Sequence, residues 1–190
     1  GIRLFNSFNL AMTVSSTGAF LPTNELSEII RYSSQKIILT IALTFSALNI
    51  YFFYSLFANK NTFRKHYEDF LILLAAFSFS LMLFFLIQEA SFLNILFSVV
   101  SSLSNSGLTS FTPPANFYLF FIFLAIVGGS IISNSSGIKL LRLYILFKST
   151  VFEIFKLVSP NVVIDQSILK TDHKINNENL NSSFFIFISF

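Results

Sequence analysis

Cysteine and tryptophan are both absent from the 190 residues. Without thiols there can be no disulfides, thiolate metal sites or cysteine nucleophiles. Charge is scarce as well: Asp, Glu, Lys and Arg make up 11% of the chain, too little to cover a soluble domain of this length. Proline occurs 4 times and glycine 6 times, so long stretches carry no helix breaker. What fills the chain is apolar, with 54% hydrophobic residues and 27 phenylalanines. That balance describes an integral membrane protein of helices. The net charge of +3 comes from basic residues scattered through loops. They fit membrane topology, and no nucleic-acid surface or nucleophile–base pair accompanies them.

The apolar stretches are unequal. A bilayer core needs about 20 apolar residues per helix, and Lys36–Ala58 and Phe70–Gln88 meet that length. Residues 5–14 and Ala90–Leu103 are too short to span and are expected as re-entrant half-helices. Phe117–Val127 and Ile138–Phe147 are also short, and Gly128-Gly129-Ser130-Ile131-Ile132-Ser133-Asn134-Ser135-Ser136-Gly137 separates them. That pair is expected as one membrane helix broken in its middle, a pointer to an ion or substrate path. The first residue is Gly and the last run, 184–190, is too short to cross a bilayer. An internal fragment of a longer protein is expected.

Each half-helix leads into a polar segment centred on one glycine: Ser15-Ser16-Thr17-Gly18-Ala19-Phe20 and Ser104-Asn105-Ser106-Gly107-Leu108-Thr109. Irregular polar backbone is tolerated at membrane depth only where it is buried in protein or lines a watery path. Backbone carbonyls can replace the water of an alkali cation without a fixed negative charge, and glycine permits the turns that aim them. Ordinary turns have the same composition, and that alternative stays open on either segment alone. Lys60, Arg64 and Lys65 follow the first span, and Lys139, Arg142, Lys148, Lys156, Lys170 and Lys174 follow the broken one. The positive-inside rule puts these in the cytoplasm and both glycine segments outside.

Residues 6–24, NSFNLAMTVSSTGAFLPTN, residues 96–111, LFSVVSSLSNSGLTSF, and residues 128–148, GGSIISNSSGIKLLRLYILFK, in that order and spacing, resemble the Trk/Ktr/HKT superfamily of potassium transporters, most of all the bacterial Trk-type membrane subunit. The resemblance implies an all-α membrane protein of repeated membrane helix–pore loop–membrane helix units, potassium-channel-like, with two of four repeats present. It places the second-repeat pore helix, filter and final helix at 1–58, a cytoplasmic loop at 59–69, and the third repeat at 70–148. A cytoplasmic loop at 149–183 and the start of a fourth repeat at 184–190 complete the chain.

By the same resemblance, Ser16, Thr17, Gly18 and Ala19 form one filter segment, and Asn105, Ser106, Gly107 and Leu108 another. Gly128, Gly129, Ser130, Ser133, Asn134, Ser135, Ser136 and Gly137 form an intramembrane gating loop. Lys139 and Arg142, three apart, are expected on one helical face, either as a cytoplasmic anchor or in a gating or partner-contacting role. Ile131 and Ile132 stand where the family prefers small residues, and Asn105-Ser106 where it prefers a threonine-rich lead. The implied activity is potassium transport, with potassium bound at the filter only, no cofactor and no enzymatic reaction. Implied partners are the remaining repeats, a second copy in a homodimer, a peripheral cytoplasmic nucleotide-binding regulatory subunit and lipid of the inner (cytoplasmic) membrane.

The alternative is a membrane scaffold, or a non-conducting degenerate copy, whose glycine loops are structural turns. A membrane enzyme would need a titratable cluster within the spans, and none is found. Asn49 is expected to make an interhelical hydrogen bond rather than an ion contact. Glu89 is expected at a solvated helix end, and His66 and His173 in loops without metal-ligand spacing.

Overall fold

A computed structural model describes residues 2–23, 26–58, 66–87 and 90–158 of the chain. The expectations for Lys60, Arg64, Lys65, Glu89, His173 and the segment 159–190 lie outside the described residues. Within them every regular element is helical. In chain order these are α1 Leu4–Ser16, a single turn α2 Leu26–Ile29, α3 Ser33–Ala47, α4 Ile50–Ala58, α5 Tyr67–Leu86, α6 Phe92–Leu103, α7 Tyr118–Val127 and α8 Leu140–Val158. A short 3₁₀ turn, Ala115–Phe117, leads into α7.

The half-helix α6 is the hub. Ile95, Phe97, Val99, Val100 and Leu103 are all buried, and they point to several sides of the helix. Ser98 and Ser101 are buried with them, and α3, α5 and α7 enclose the helix. The other half-helix, α1, leans on α3. The amine of Lys36 at the start of α3 donates to Asn94 Oδ1 at the start of α6 (2.6 Å), pinning the two N-terminal ends together.

The outward faces are apolar too: Leu74, Phe77, Phe85 and Leu119 stand exposed, which suits a surface covered by lipid rather than water. Among the described residues, α5, with 20 residues, is the one helix long and apolar enough to cross a bilayer.

Three element boundaries differ from the sequence reading. The stretch expected as a continuous span over Lys36–Ala58 is two helices, α3 and α4, separated at Leu48 and Asn49. Leu48 takes an extended backbone, ψ 163°, and Asn49 Oδ1 accepts the amide of Tyr51 (2.9 Å), capping the new helix. That cap is local to α4 rather than the interhelical side-chain bond expected of Asn49. The helix expected to begin at Phe70 begins at Tyr67, so Glu68 and Asp69 belong to its first turn. At the other end, the helix expected to stop near Phe147 runs on to Val158, so the first part of the expected loop at 149–183 is helical.

Candidate functional site: two glycine segments above a broken helix

Each half-helix ends in a left-handed residue. In the second segment it is Asn105, φ 58°. The amide of Ser106 donates to Ser101 O (3.1 Å) and that of Asn105 to Ser102 O (3.1 Å). This is a Schellman cap with asparagine at its left-handed position. A hydroxyl pair, Ser101 Oγ and Ser106 Oγ 3.0 Å apart, takes the place of the usual apolar contact. Ser104 Oγ reaches Ser101 O (3.1 Å) and Ser106 Oγ (3.2 Å), closing a buried hydroxyl cluster behind the turn. Gly107 follows with φ 64°, where glycine avoids the strain of a Cβ, and Leu108 is buried beyond it.

In the first segment the left-handed residue is Thr17, φ 51° and ψ 33°, and Gly18 is not in the left-handed region. The expectation that glycine supplies the strained conformation therefore holds at Gly107 and not at Gly18. Ser16 folds back, its hydroxyl donating to Met12 O (2.7 Å). Gly18 O accepts the amide of Phe20 in a tight turn. The buried Thr13 donates its hydroxyl to Phe20 O (2.6 Å), tying the far end of the segment back to α1.

The two segments meet. A Cβ built on Gly107 would stand 2.7 Å from the Cβ of Ala19. Counted from the left-handed residues Thr17 and Asn105, Ala19 and Gly107 occupy the same place in their segments, and so do Gly18 and Ser106. The backbone thus aligns Gly107 with Ala19 rather than with Gly18, one residue from the alignment that the glycines suggest. On the same count Thr13 matches Ser101, each a buried hydroxyl four residues before the left-handed residue. The sequence reading missed this pair; a hydroxyl at one fixed distance in both copies was the available signal.

The segment 128–137 leaves and re-enters the helical path at one neck. The amides of Ile138 and Lys139 donate to Ile126 O (2.9 Å) and Val127 O (3.0 Å). Gly128 (φ 70°) and Gly137 (φ 98°) face each other there, and a Cβ on Gly137 would stand 3.0 Å from Gly128 Cα. Inside the loop, Ser133 donates to Ser130 O (2.7 Å), and Ser135 Oγ accepts the amide of Gly129 (3.0 Å). Lys139 has φ 75° and precedes α8. Its amine curls back to Ser135 O and to Ser133 Oγ (3.2 Å). Arg142 lies within α8, so the shared helical face expected for Lys139 and Arg142 is not formed. Ser136 contributes backbone: its carbonyl fills the space a Cβ on Gly128 would need.

This loop sits in the break between α3 and α4. Ser130 N–H donates to Ala47 O (3.0 Å), and Ile50 N–H donates to Ile132 O (3.3 Å). Both Ala47 O and Ile50 N–H are helix-terminal groups that the break leaves without an intrahelical partner. Gly129 presses so close to Ala47 O that any Cβ would collide with it. The loop also reaches the first glycine segment, and the second meets the helix that leads into the loop. Asn134 Nδ2 stands 3.5 Å from Ser15 O at the end of α1. On the other side Asn105 Nδ2 donates to Ala125 O (3.0 Å), beside the neck.

Comparisons with known proteins agree with this architecture. No family model matches the sequence. A protein of Methanocaldococcus jannaschii described as an uncharacterized cation transporter is 22% identical over 198 residues, covering 98% of this chain and 39% of its own length. The crystal structure of the potassium transporter TrkH from Vibrio parahaemolyticus superposes with a TM-score of 0.79 at 20% identity, over 100% of this chain and 43% of that one. The chain therefore spans less than half the length of either. The resemblance read from the sequence holds at the level of the fold: the chain carries the Trk-type membrane-helix fold.

Proposed function

We propose that the chain is the second and third of four pore-loop repeats of a Trk-type potassium-uptake protein of the cytoplasmic membrane. Its cargo is potassium, which sheds water at carbonyls of residues 16–19 and 105–108 and then passes a gate at 128–137. The observation that carries this reading is the meeting of Ala19 and Gly107 at matching places in their segments. Two repeats arranged around one axis bring matching residues side by side, whereas unrelated turns have no reason to. The seat of the 128–137 loop against the end of α1 and beside the Asn105 contact adds support. By the same resemblance the whole protein works as a homodimer with a peripheral nucleotide-binding subunit, and the isolated chain, with two filter segments, does not conduct.

The rival reading, structural turns in a scaffold or a non-conducting copy, draws on the Schellman cap that already accounts for Asn105 and Ser106. Rubidium uptake by the full-length gene product in cells lacking potassium uptake separates the two. Within the chain, a Cβ on Gly18 meets nothing closer than Ser16 Oγ at 3.4 Å, so Gly18→Ser leaves the fold undisturbed. A filter role predicts that this variant loses rubidium-over-sodium preference while its membrane abundance stays normal. Unchanged uptake and preference in both Gly18→Ser and Gly107→Ser favours the scaffold.

A further inference from the structure

Two adjacent carboxylates at the start of α5 reach away from their own helix. Acidic residues in a first turn ordinarily complement the positive end of the helix dipole. Here Glu68 Oε1 accepts the amide of Ile131 at the tip of the 128–137 loop (3.1 Å). The amide of Leu141, in the first turn of α8, and the charge of Lys139 act on the same carboxylate. Next to it, the buried Asp69 accepts the amide of Asn49 on Oδ1 (2.9 Å). His66 Nδ1 lies 3.2 Å from its other oxygen. One turn of α5 therefore holds both helix breaks: Asp69 grips the seat between α3 and α4, and Glu68 grips the loop that occupies the seat.

The loop's other ties to the seat are neutral backbone bonds, Ser130 N–H to Ala47 O and Ile50 N–H to Ile132 O. The Glu68 bond, at 3.1 Å, is as long as these two, at 3.0 and 3.3 Å. The Glu68 contact is the one among these three that a side-chain rotation can release without disturbing a helix end.

We propose that Glu68 is a positioning residue for the 128–137 segment: a latch whose carboxylate holds the loop in the α3–α4 break and must let go before the loop can move. The mechanical claim concerns the loop itself, and its meaning for ion flow rests on the gate assignment proposed above.

These 190 residues hold no cysteine, so the full-length gene product, with any cysteine outside them replaced by serine, gives a clean background for a test in its membrane. Ile132, at the loop tip, is 50% exposed, and in that background Ile132→Cys places a single reporter there. Modification by a small water-soluble thiol reagent is expected to run at least about threefold faster when Glu68→Ala is added. Glu68→Gln, which keeps an acceptor oxygen, should restore most of the slow rate. Where Glu68→Ala does not accumulate, Glu68→Asp keeps the carboxyl group, falls one methylene short, and is expected to show the same acceleration. Equal rates with and without the latch overturn the proposal, as does a Glu68→Gln variant as fast as Glu68→Ala. Because the reporter reads loop exposure and not transport, its result is independent of the uptake experiment. Under the gate assignment, Glu68→Ala changes rubidium uptake rate while leaving rubidium-over-sodium preference as it was.

Discussion

Gly107 and Ala19 touch so closely that the glycine has no room for a side chain: a Cβ on it would stand 2.7 Å from the Cβ of Ala19. The residues are far apart in sequence yet take the same place in two similar turns. Gly107 is constrained twice, by this contact and by its φ of 64°. Each constraint predicts its own mutational signature.

Gly107→Ala is expected to destabilise the protein by on the order of 3 kcal/mol, left-handed strain and overpacking together. Adding Ala19→Gly removes the overpacking and should recover roughly half of that loss. Gly18→Ala, which meets neither constraint, should stay within about 0.5 kcal/mol of wild type. Thermal unfolding of the purified full-length protein measures all of these. No rescue by Ala19→Gly would mean that the two segments do not meet in solution.

The hydroxyl ties behind the segments predict an asymmetry. Thr13→Val removes the donor to Phe20 O and leaves an acceptor unpaired, at a cost of roughly 1–2 kcal/mol. Ser101→Ala removes one partner of Ser106 Oγ, which keeps Ser104 Oγ at 3.2 Å, so less than about 1 kcal/mol should be lost. Thermal unfolding ranks the pair. A larger loss for Ser101→Ala would show that the second segment depends on its hydroxyl cluster more than its redundant bonding implies.

What could be read from the sequence, and what could not, follows from where the determinants lie. The half-helices, the glycine segments and the 128–137 interruption were legible because glycine, serine and short apolar runs are local signals. The break at Leu48 and Asn49 was not. No glycine or proline marks it, and its free backbone groups are satisfied by Ser130, Ile132 and Asp69 from elsewhere in the chain. The continuation of α8 to Val158 was masked by Lys148, Glu153 and Lys156, which look like loop residues when charge alone is counted. The alignment of Ala19 with Gly107 was hidden because the left-handed position is held by Thr17 and Asn105 instead of glycine.

Asn49 offers the sharpest test of that tertiary break. Its side chain caps α4 through Tyr51 N–H, so Asn49→Ala should cost about 1 kcal/mol, and Asn49→Ser, another good cap, only a small part of that. On an isolated helix aspartate would serve as well as asparagine, because a negative charge suits the N-terminus. Here the buried carboxylate of Asp69 already accepts the amide of residue 49 at 2.9 Å. A second carboxylate at this position would face a like charge that water cannot screen well. The expected order of thermal stability is therefore wild type, Ser, Ala, then Asp. If Asn49→Asp proved as stable as wild type, the carboxylate of Asp69 would have to lie away from the break, and the grip of α5 on the α3–α4 seat would be lost with it.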